Sequence, residues 1–217
     1  MKKSTLITTV FIVIGILFGA GTALYNKKTV EKAEEVQKMD QSVFQREHSP
    51  VYGNPNAKVT ITEFLDPACE TCRDFYVFVK RLVDSYKGNV KVVVRYAPFH
   101  HGVEDVVKVL EASKKQNKYW ETMMILYQYQ PQWAIHHRAE MDKVWPILKK
   151  SGLDIQALKA EMNSPEIAKA IAQDVADLKT LGVRKTPGFF VNGKPLMQFG
   201  YQQLIDLVKS EVAKQYK

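Results

Sequence analysis

Cys69 and Cys72 are the residues of this sequence with the clearest capacity for chemistry, and the sequence holds no other cysteine. A spacing of three residues on a helix places both side chains on one face, close enough to form a disulfide bond. That bond would close a very small loop and would constrain the unfolded chain little, so a purely structural disulfide is the weaker alternative. The pair therefore predicts thiol–disulfide exchange, in which a thiolate attacks a disulfide sulfur.

The pair lies where a predicted strand gives way to a predicted helix. Residues 59–64 alternate and are rich in β-branched side chains, which indicates a strand, and Asp66-Pro67 ends it. A helix start offers unpaired N–H groups and a partial positive charge, which can lower a thiol pKa from about 8.5 to between about 3.5 and 7.5. Cys69 is therefore the predicted nucleophile. Cys72, one turn further on, is predicted to be more buried and to resolve the mixed disulfide.

A zinc site is the competing interpretation of the cysteines. His100-His101 and His136-His137 could supply nitrogen ligands. Adjacent histidines do not share a helix face, however, and the usual spacing of three to five residues between histidine ligands is absent. The sequence therefore favours a redox pair and predicts no metal.

The remaining pattern predicts a second strand, a long helical segment and a final hairpin. Residues 90–96 form an apolar strand, and the helix that connects it to the first strand makes a parallel β-α-β unit the natural arrangement. Residues 100–163 are helical in pattern. Asn192-Gly193 is the preferred two-residue turn between strands at 188–191 and 194–199, and a closing helix follows.

Two motifs flank the helical segment: EFLDPACETC at 63–72 and GVRKTPGFFVNG at 182–193. Together they resemble the DsbA-like branch of the thioredoxin superfamily, in which a helical domain interrupts a thioredoxin core. The resemblance covers about residues 53–217. It implies an α/β, thioredoxin-like fold with an inserted helical domain. It also implies thiol:disulfide oxidoreductase activity in which the disulfide is the redox group and no cofactor is required.

The resemblance also implies roles for three residues outside the pair. Pro187 matches the cis-proline that faces the disulfide, and Thr186 matches the residue whose backbone contacts the bound peptide. Glu63, six residues before Cys69, matches a buried acid. A desolvated carboxyl has a raised pKa and could take the proton of Cys72. The alternative is that Glu63 is an exposed residue at a strand end.

The two residues between the cysteines depart from the family pattern. Strongly oxidising members carry Pro-His there, whereas this chain has Glu70-Thr71. A carboxylate beside Cys69 should repel the thiolate and raise its pKa, and a less stable thiolate makes a less oxidising disulfide. We therefore expect an oxidant milder than those members, or a protein that acts as a reductant or isomerase.

The N-terminus predicts export from the cytoplasm. Two lysines precede a run from Leu6 to Leu24 without a charged residue, which favours an uncleaved membrane anchor over a cleaved signal peptide at residues 1–24. A charged tether is predicted at 25–52 and the thioredoxin-like domain at 53–217. Either interpretation places the domain in the periplasm or on the outer face of the cell membrane, where a disulfide persists.

The net charge of +8 does not by itself indicate a nucleic-acid partner. The Lys and Arg residues are scattered among acids, as on an ordinary solvated surface. The predicted partners are thiols and disulfides of exported proteins or peptides and a redox partner in the membrane. The predicted function is disulfide formation, with a dedicated reductant, isomerase or adaptor for one membrane protein as the alternative. The oligomeric state stays open, including a dimer formed through residues 25–50.

Overall fold

The computed structural model describes residues 3–136 and 138–217, with side chains from residue 11 onward. Helices make up most of the regular structure in the described chain. Short 3₁₀ turns lie at Gln41–Val43, Lys114–Gln116 and Lys149–Ser151. The helices are α1 Lys3–Gln37, α2 Glu70–Ser85, α3 Val103–Ser113, α4 Tyr119–Gln128, α5 Gln130–Trp133, α6 Met141–Leu148, α7 Ile155–Glu161, α8 Pro165–Thr180 and α9 Tyr201–Gln215. The strands are β1 Val51–Gly53, β2 Val59–Leu65, β3 Val90–Tyr96, β4 Ala134–Ile135, β5 Arg138–Ala139, β6 Gly188–Val191 and β7 Lys194–Pro195.

A five-stranded sheet with the order β1-β3-β2-β6-β7 forms the centre of the domain. Strands β2 and β3 are parallel, as predicted for a β-α-β unit, and β6 pairs antiparallel with β2. Because successive side chains of a strand point to opposite faces, Ile61 and Phe64 enter different hydrophobic clusters. The face that holds Ile61 packs on α2 and α9, and the face that holds Phe64 packs on α8.

The helical segment between β3 and β6 forms a second core beside the sheet. Its largest buried side chain, Trp133, donates its indole N–H to the carbonyl of Leu126 at 2.8 Å. Cys72 and Tyr76 of α2 belong to the same cluster. The helix that begins at the cysteines therefore packs on the sheet with one side and on the inserted helices with the other, which confirms a thioredoxin-like fold with a helical insertion.

The final hairpin has the predicted turn but a shorter second strand. Asn192 and Gly193 both adopt positive φ, at 48° and 79°, as the tight hairpin turn requires. The returning strand β7 ends at Pro195 instead of Phe199, and the N–H of Leu196 makes one further hydrogen bond to the carbonyl of Phe189 at 2.9 Å. The short strands β1, β4 and β5 were not predicted, since two or three residues carry too little periodicity.

The second half of the predicted tether differs from the expectation that it is solvated. Val36, Phe44 and Ser49 are buried, so residues 36–50 pack on the domain instead of forming a solvated tether. The predicted anchor at residues 1–24 lies partly outside the described side chains. In the described part of the chain, no helix is long and apolar enough to cross a membrane.

Candidate active site

Cys69 is the residue at which α2 begins. It has extended backbone angles, with φ −76° and ψ 122°, and its carbonyl accepts the N–H of Arg73 at 3.2 Å. This is the geometry of an N-cap residue, whose side chain lies beside the unpaired N–H groups of the first turn. The Cys69 side chain is half-buried, and both cysteines are free thiols. The predicted nucleophile is therefore placed at a helix start where an attacking thiolate would be stabilised.

Hydrogen bonds lower the pKa of Cys69 to about 5. The Cys72 thiol contributes most, the side chain of Thr186 adds to it, and the backbone N–H groups of Cys72 and Thr71 contribute less. Partial burial opposes the shift, because desolvation disfavours the charged form. The donors outweigh the burial, so Cys69 is ionised at neutral pH.

Glu70 is not among the main groups that shift the Cys69 pKa. Its side chain is exposed. Water screens an exposed charge, whereas the partly buried donors around the sulfur act at short range. A lower oxidising strength than that of members with Pro-His stays a prediction.

Cys72 lies in the opposite environment. It is fully buried, and this burial raises its pKa well above the ordinary value, with the nearby thiolate of Cys69 acting in the same direction. The two sulfurs of the pair therefore differ in their preferred protonation state. Cys69 is stable as a thiolate, and Cys72 as a thiol.

Glu63 is buried beneath the pair, as the resemblance implied, and is not an exposed strand-end residue. It lies in the middle of β2 with 3% of its surface exposed, between Val94 of β3 and Phe189 of β6. Burial raises the pKa of its carboxyl to about 8, and the charge of Cys69 adds to the shift. Among the described residues, its Oε1 has no hydrogen-bond partner. Glu63 therefore holds its proton at neutral pH.

Thr186 and Pro187 lie directly against Cys69. The peptide bond between them is cis. When protonated, the Cys69 thiol donates a hydrogen bond to the carbonyl of Thr186 at 3.4 Å. Thr186, in the second sequence motif, therefore contacts the sulfur of Cys69 in the first motif, although 117 positions separate the two residues.

Two buried polar residues of the site were not singled out from the sequence. Asp66 accepts hydrogen bonds from the N–H groups of Ala68, Phe99 and His100 at 2.8 to 2.9 Å, which fixes the turn before Cys69. Gln130, from the helical insert, donates to the carbonyls of Pro67 and Cys69. The Asp-Pro pair is a recognisable turn signal, but no local pattern marks Gln130, because its partners are about 60 residues away.

Tyr127 is a third buried polar side chain near the pair. Burial raises the pKa of its hydroxyl, and the charges of Cys72 and Glu63 act in the same direction. Its oxygen has no hydrogen-bond partner in the described part of the chain. Tyr127 belongs to the hydrophobic core of the helical insert.

Two of the histidines considered as zinc ligands, His100 and His101, have other neighbours. His100 pairs with Asp66, its Nδ1 lying 2.8 Å from the carboxylate. His101 lies 3.5 Å from the guanidinium of Arg138, and His137 lies outside the described residues. Within residues 3–136 and 138–217, no three His, Cys, Asp or Glu side chains are grouped as a metal site.

Comparison with known proteins agrees with this geometry. The family model described as thioredoxin matches residues 45–209, which is most of the chain. The chain belongs to the thioredoxin superfamily, in its DsbA-like branch. A solved thioredoxin-like oxidoreductase from Silicibacter pomeroyi DSS-3 is 30% identical, with a TM-score of 0.70 over 81% of this chain and 98% of the other.

Two further relatives differ in how much of their length is matched. Disulfide bond formation protein D of Bacillus subtilis (strain 168) is 27% identical over 176 residues, which cover 75% of this chain and 77% of that protein. A Na(+)/H(+) antiporter NhaA of Herminiimonas arsenicoxydans is 25% identical over 146 residues, which cover 67% of this chain. The chain spans only 22% of the length of that antiporter.

Proposed function

We propose that the protein forms disulfide bonds in exported polypeptides, using the Cys69–Cys72 disulfide as the oxidant. The observation that carries this proposal is the opposite protonation preference of the two sulfurs. Hydrogen bonds lower the pKa of Cys69 to about 5, whereas burial raises the pKa of Cys72. A stabilised thiolate favours the reduced protein, and a disulfide whose reduced form is stabilised is a strong oxidant.

The reaction with the substrate needs the Cys69–Cys72 disulfide, Glu63 and two thiols of the substrate. A substrate thiolate attacks Sγ of Cys69, the Cys69–Cys72 bond breaks, and Cys72 leaves as a thiolate. Glu63, protonated below about pH 8, gives Cys72 its proton. A second substrate thiolate then attacks the substrate sulfur of the mixed disulfide and releases Cys69 as a thiolate. Two electrons pass from the substrate to the protein, and a redox partner in the membrane must remove them.

A groove beside Pro187 is the proposed site for the substrate chain. It has a volume of about 290 Å³ and includes Val183, Pro187, Leu196 and Phe199 in its lining. Phe199 is half exposed, and its ring lies 4.9 Å from that of Phe75 in α2. An extended peptide on this surface could use apolar contacts together with the backbone of Thr186, which already faces Cys69.

The decisive experiment compares oxidation and reduction by the purified protein. The oxidised protein should accelerate disulfide formation in a reduced, unfolded ribonuclease A, and Cys69→Ser should abolish this activity. The reduced protein should be slow in reducing insulin. A protein that reduces insulin quickly but does not oxidise the unfolded substrate would contradict the proposed direction of electron flow.

A second candidate function is a dedicated adaptor for one membrane protein. The observation that favours it is the match of this domain to a short part of Na(+)/H(+) antiporters, since it shows that similar domains occur within membrane transporters. Cys72→Ala would trap partners as mixed disulfides on Cys69, because the resolving thiol is missing. Many trapped exported proteins would support the oxidase, and a single trapped membrane protein would support the adaptor.

We also propose that the domain acts outside the cytoplasm. The support is the lysine-led, uncharged segment from Leu6 to Leu24 and the use of both cysteines as a redox pair. A membrane-impermeant thiol reagent applied to intact cells should label Cys69 in the reduced protein. Labelling that requires lysis would place the domain inside and contradict the proposal.

A further inference from the structure

Gln130 connects the helical insert to the turn that carries the nucleophile. It is the first residue of α5 and is 1% exposed. Its side-chain nitrogen donates to the carbonyl of Pro67 at 2.8 Å and to the carbonyl of Cys69 at 3.0 Å. Since a primary amide nitrogen has two hydrogens, each carbonyl can receive one of them. One side chain of the insert thus bridges two backbone groups of the active-site turn.

The two carbonyls are the ones that determine how α2 begins. The carbonyl of Cys69 also accepts the N–H of Arg73, which is the first hydrogen bond of the helix. On the other side of the turn, Asp66 holds the N–H of Ala68 through its carboxylate and the N–H of Cys69 through its carbonyl. Asp66 therefore fixes the N–H side of the turn, and Gln130 fixes the carbonyl side.

This arrangement matters because the Cys69 sulfur depends on directed donors. The backbone N–H groups of Thr71 and Cys72, in the first turn, contribute to lowering the pKa of Cys69. A hydrogen bond weakens steeply as its angle departs from linearity, so a small rotation of this turn reduces the stabilisation. A side chain that fixes the carbonyl of Cys69 therefore also fixes the N–H groups of Thr71 and Cys72, which follow it in the same turn.

The unused atom of Gln130 points to the same role. Its Oε1 is buried and has no hydrogen-bond partner within the described chain. A buried unsatisfied polar atom costs about 1–3 kcal/mol. Gln130 therefore stabilises the structure through the two hydrogens of its side-chain nitrogen, and both of them bind carbonyls of the active-site turn.

We infer that Gln130 is a positioning residue through which the helical insert sets the redox poise of the Cys69–Cys72 pair. The inference deepens the proposed function and rests on it. It predicts that the first turn of α2 relaxes when both donors are removed, although no residue that touches a substrate has changed. The thiolate form of Cys69 would then lose stabilisation, and the protein would hold its disulfide more firmly.

The test compares two matched substitutions in the same short helix. Gln130→Met keeps the length of the side chain and removes both donors, whereas Gln132→Met makes the same change at an exposed position two residues later. Gln130→Met should shift the equilibrium with glutathione about tenfold toward the oxidised protein, which corresponds to about 30 mV. The thiolate absorbance of Cys69 should titrate about one pH unit higher. Gln132→Met should change neither measurement.

A second variant keeps the inference testable if Gln130→Met does not fold. Gln130→Glu retains one donor while its carboxyl is protonated. At about pH 7 it should also shift the glutathione equilibrium toward the oxidised protein, because at most one of the two donors remains. A folded Gln130→Met or Gln130→Glu protein with the wild-type equilibrium and the wild-type thiolate titration would overturn the inference.

The same measurements separate this inference from the proposed function. The glutathione equilibrium and the thiolate titration need no exported substrate. A wild-type protein that fails to oxidise ribonuclease A would contradict the proposed function, yet a shifted equilibrium in Gln130→Met would still support the positioning role. An active wild type with an unshifted Gln130→Met would overturn the positioning role alone.

Discussion

Cys69 and Cys72 are three residues apart, yet the start of α2 stabilises opposite protonation states of their sulfurs. Cys69 lies among hydrogen-bond donors at the N-terminus of α2, and Cys72 lies in the buried cluster one turn further along the helix. Glu63 lies beneath both sulfurs and is kept protonated by its own burial. Three titratable groups with separated pKa values allow one thiol to attack and the other to be released with a proton.

The ionisation of Cys69 predicts a pH-dependent stability that only the reduced protein shows. Its pKa of about 5 in the folded protein is below the ordinary thiol value of about 8.5. A lowered pKa contributes stability above the ordinary value, and this contribution is lost as the pH falls through the folded value. The free energy of unfolding of the reduced protein, minus that of the oxidised protein, should therefore decrease from about pH 8.5 to about pH 5.

Urea unfolding of both redox forms across this pH range measures the difference. The burial of Glu63 is common to both forms, so most of its contribution cancels. Cys69→Ser serves as the control. The free energy of unfolding of this variant, minus that of the oxidised wild-type protein, should not depend on pH in this range. A wild-type difference that is flat with pH would mean that the folded protein does not lower the pKa of Cys69.

Glu63 predicts a conflict between stability and catalysis. Its pKa of about 8 in the folded protein is above the ordinary carboxyl value, so its stabilising contribution is present at acid pH and is lost as the pH rises toward 8. Glu63→Gln should therefore raise the free energy of unfolding by about 2–3 kcal/mol at pH 7 and by little at pH 4. It should also slow the release of Cys72 from the Cys69–Cys72 disulfide, the step that forms the mixed disulfide, about 10²-fold, because the proton donor is missing.

Urea unfolding of the oxidised protein and stopped-flow exchange with a peptide thiol measure the two effects. Glu70→Gln removes a carboxyl at an exposed position and should change the stability by less than about 0.5 kcal/mol. A Glu63→Gln protein that is less stable than wild type at pH 7 would contradict the assignment of a buried, protonated carboxyl.

At the level of elements, a buried ion network holds residues 43–50 against α8 and β3. Arg95 of β3 is fully buried and contacts Asp174 at 2.8 Å and Asp177 at 2.5 Å, both in α8. Arg46 contacts Asp177 from the surface side at 2.7 Å, and His48 contacts Asp174 at the same distance. The network explains why this charged segment packs on the domain instead of extending into water.

The two arginines of this network should differ in their effect on stability. Arg95→Met leaves two buried carboxylates without their central partner, and breaking a buried pair costs about 3–5 kcal/mol. Arg46 is partly exposed, so Arg46→Met should cost about 1 kcal/mol or less. Thermal unfolding of the two variants measures the contrast. Equal losses would show that water reaches the whole network, and neither variant should change the redox equilibrium.

The elements that could be predicted from the sequence are those with long periodic patterns or strong turn signals. Strands β2 and β3, helix α2 and the Asn192-Gly193 turn each carry such a signal within their own residues. Long-range partners carry none. Gln130 reads as one polar residue among aromatic ones, and the burial of Val36 is hidden by the charged residues around it. The lowered pKa of Cys69 follows from its place at a helix start, whereas the contribution of Thr186 could not be predicted, because Thr186 is adjacent to Cys69 only in space.

On the scale of the whole molecule, the last turns of α1 belong to the domain. Val36 is buried against a cluster that includes Phe64 and Phe190, on the face of the sheet opposite α2. Lys32 lies near Gly182, in the loop that leads to Thr186 and Pro187. The boundary of the stable unit therefore lies inside α1, before Val36, and not at the end of the charged segment.

Two shortened chains test this boundary. A chain that starts at residue 26 keeps the contacts of Val36 and should unfold with the free energy of the full chain. A chain that starts at residue 41 loses the buried Val36 side chain and should be less stable by about 2 kcal/mol. Both should keep the glutathione equilibrium of the full chain, because Cys69 takes its stabilisation from α2 and Thr186. Equal stability of the two chains would show that the last turn of α1 does not stabilise the domain. A loss of stability confined to the shorter chain would show that this turn is part of the fold.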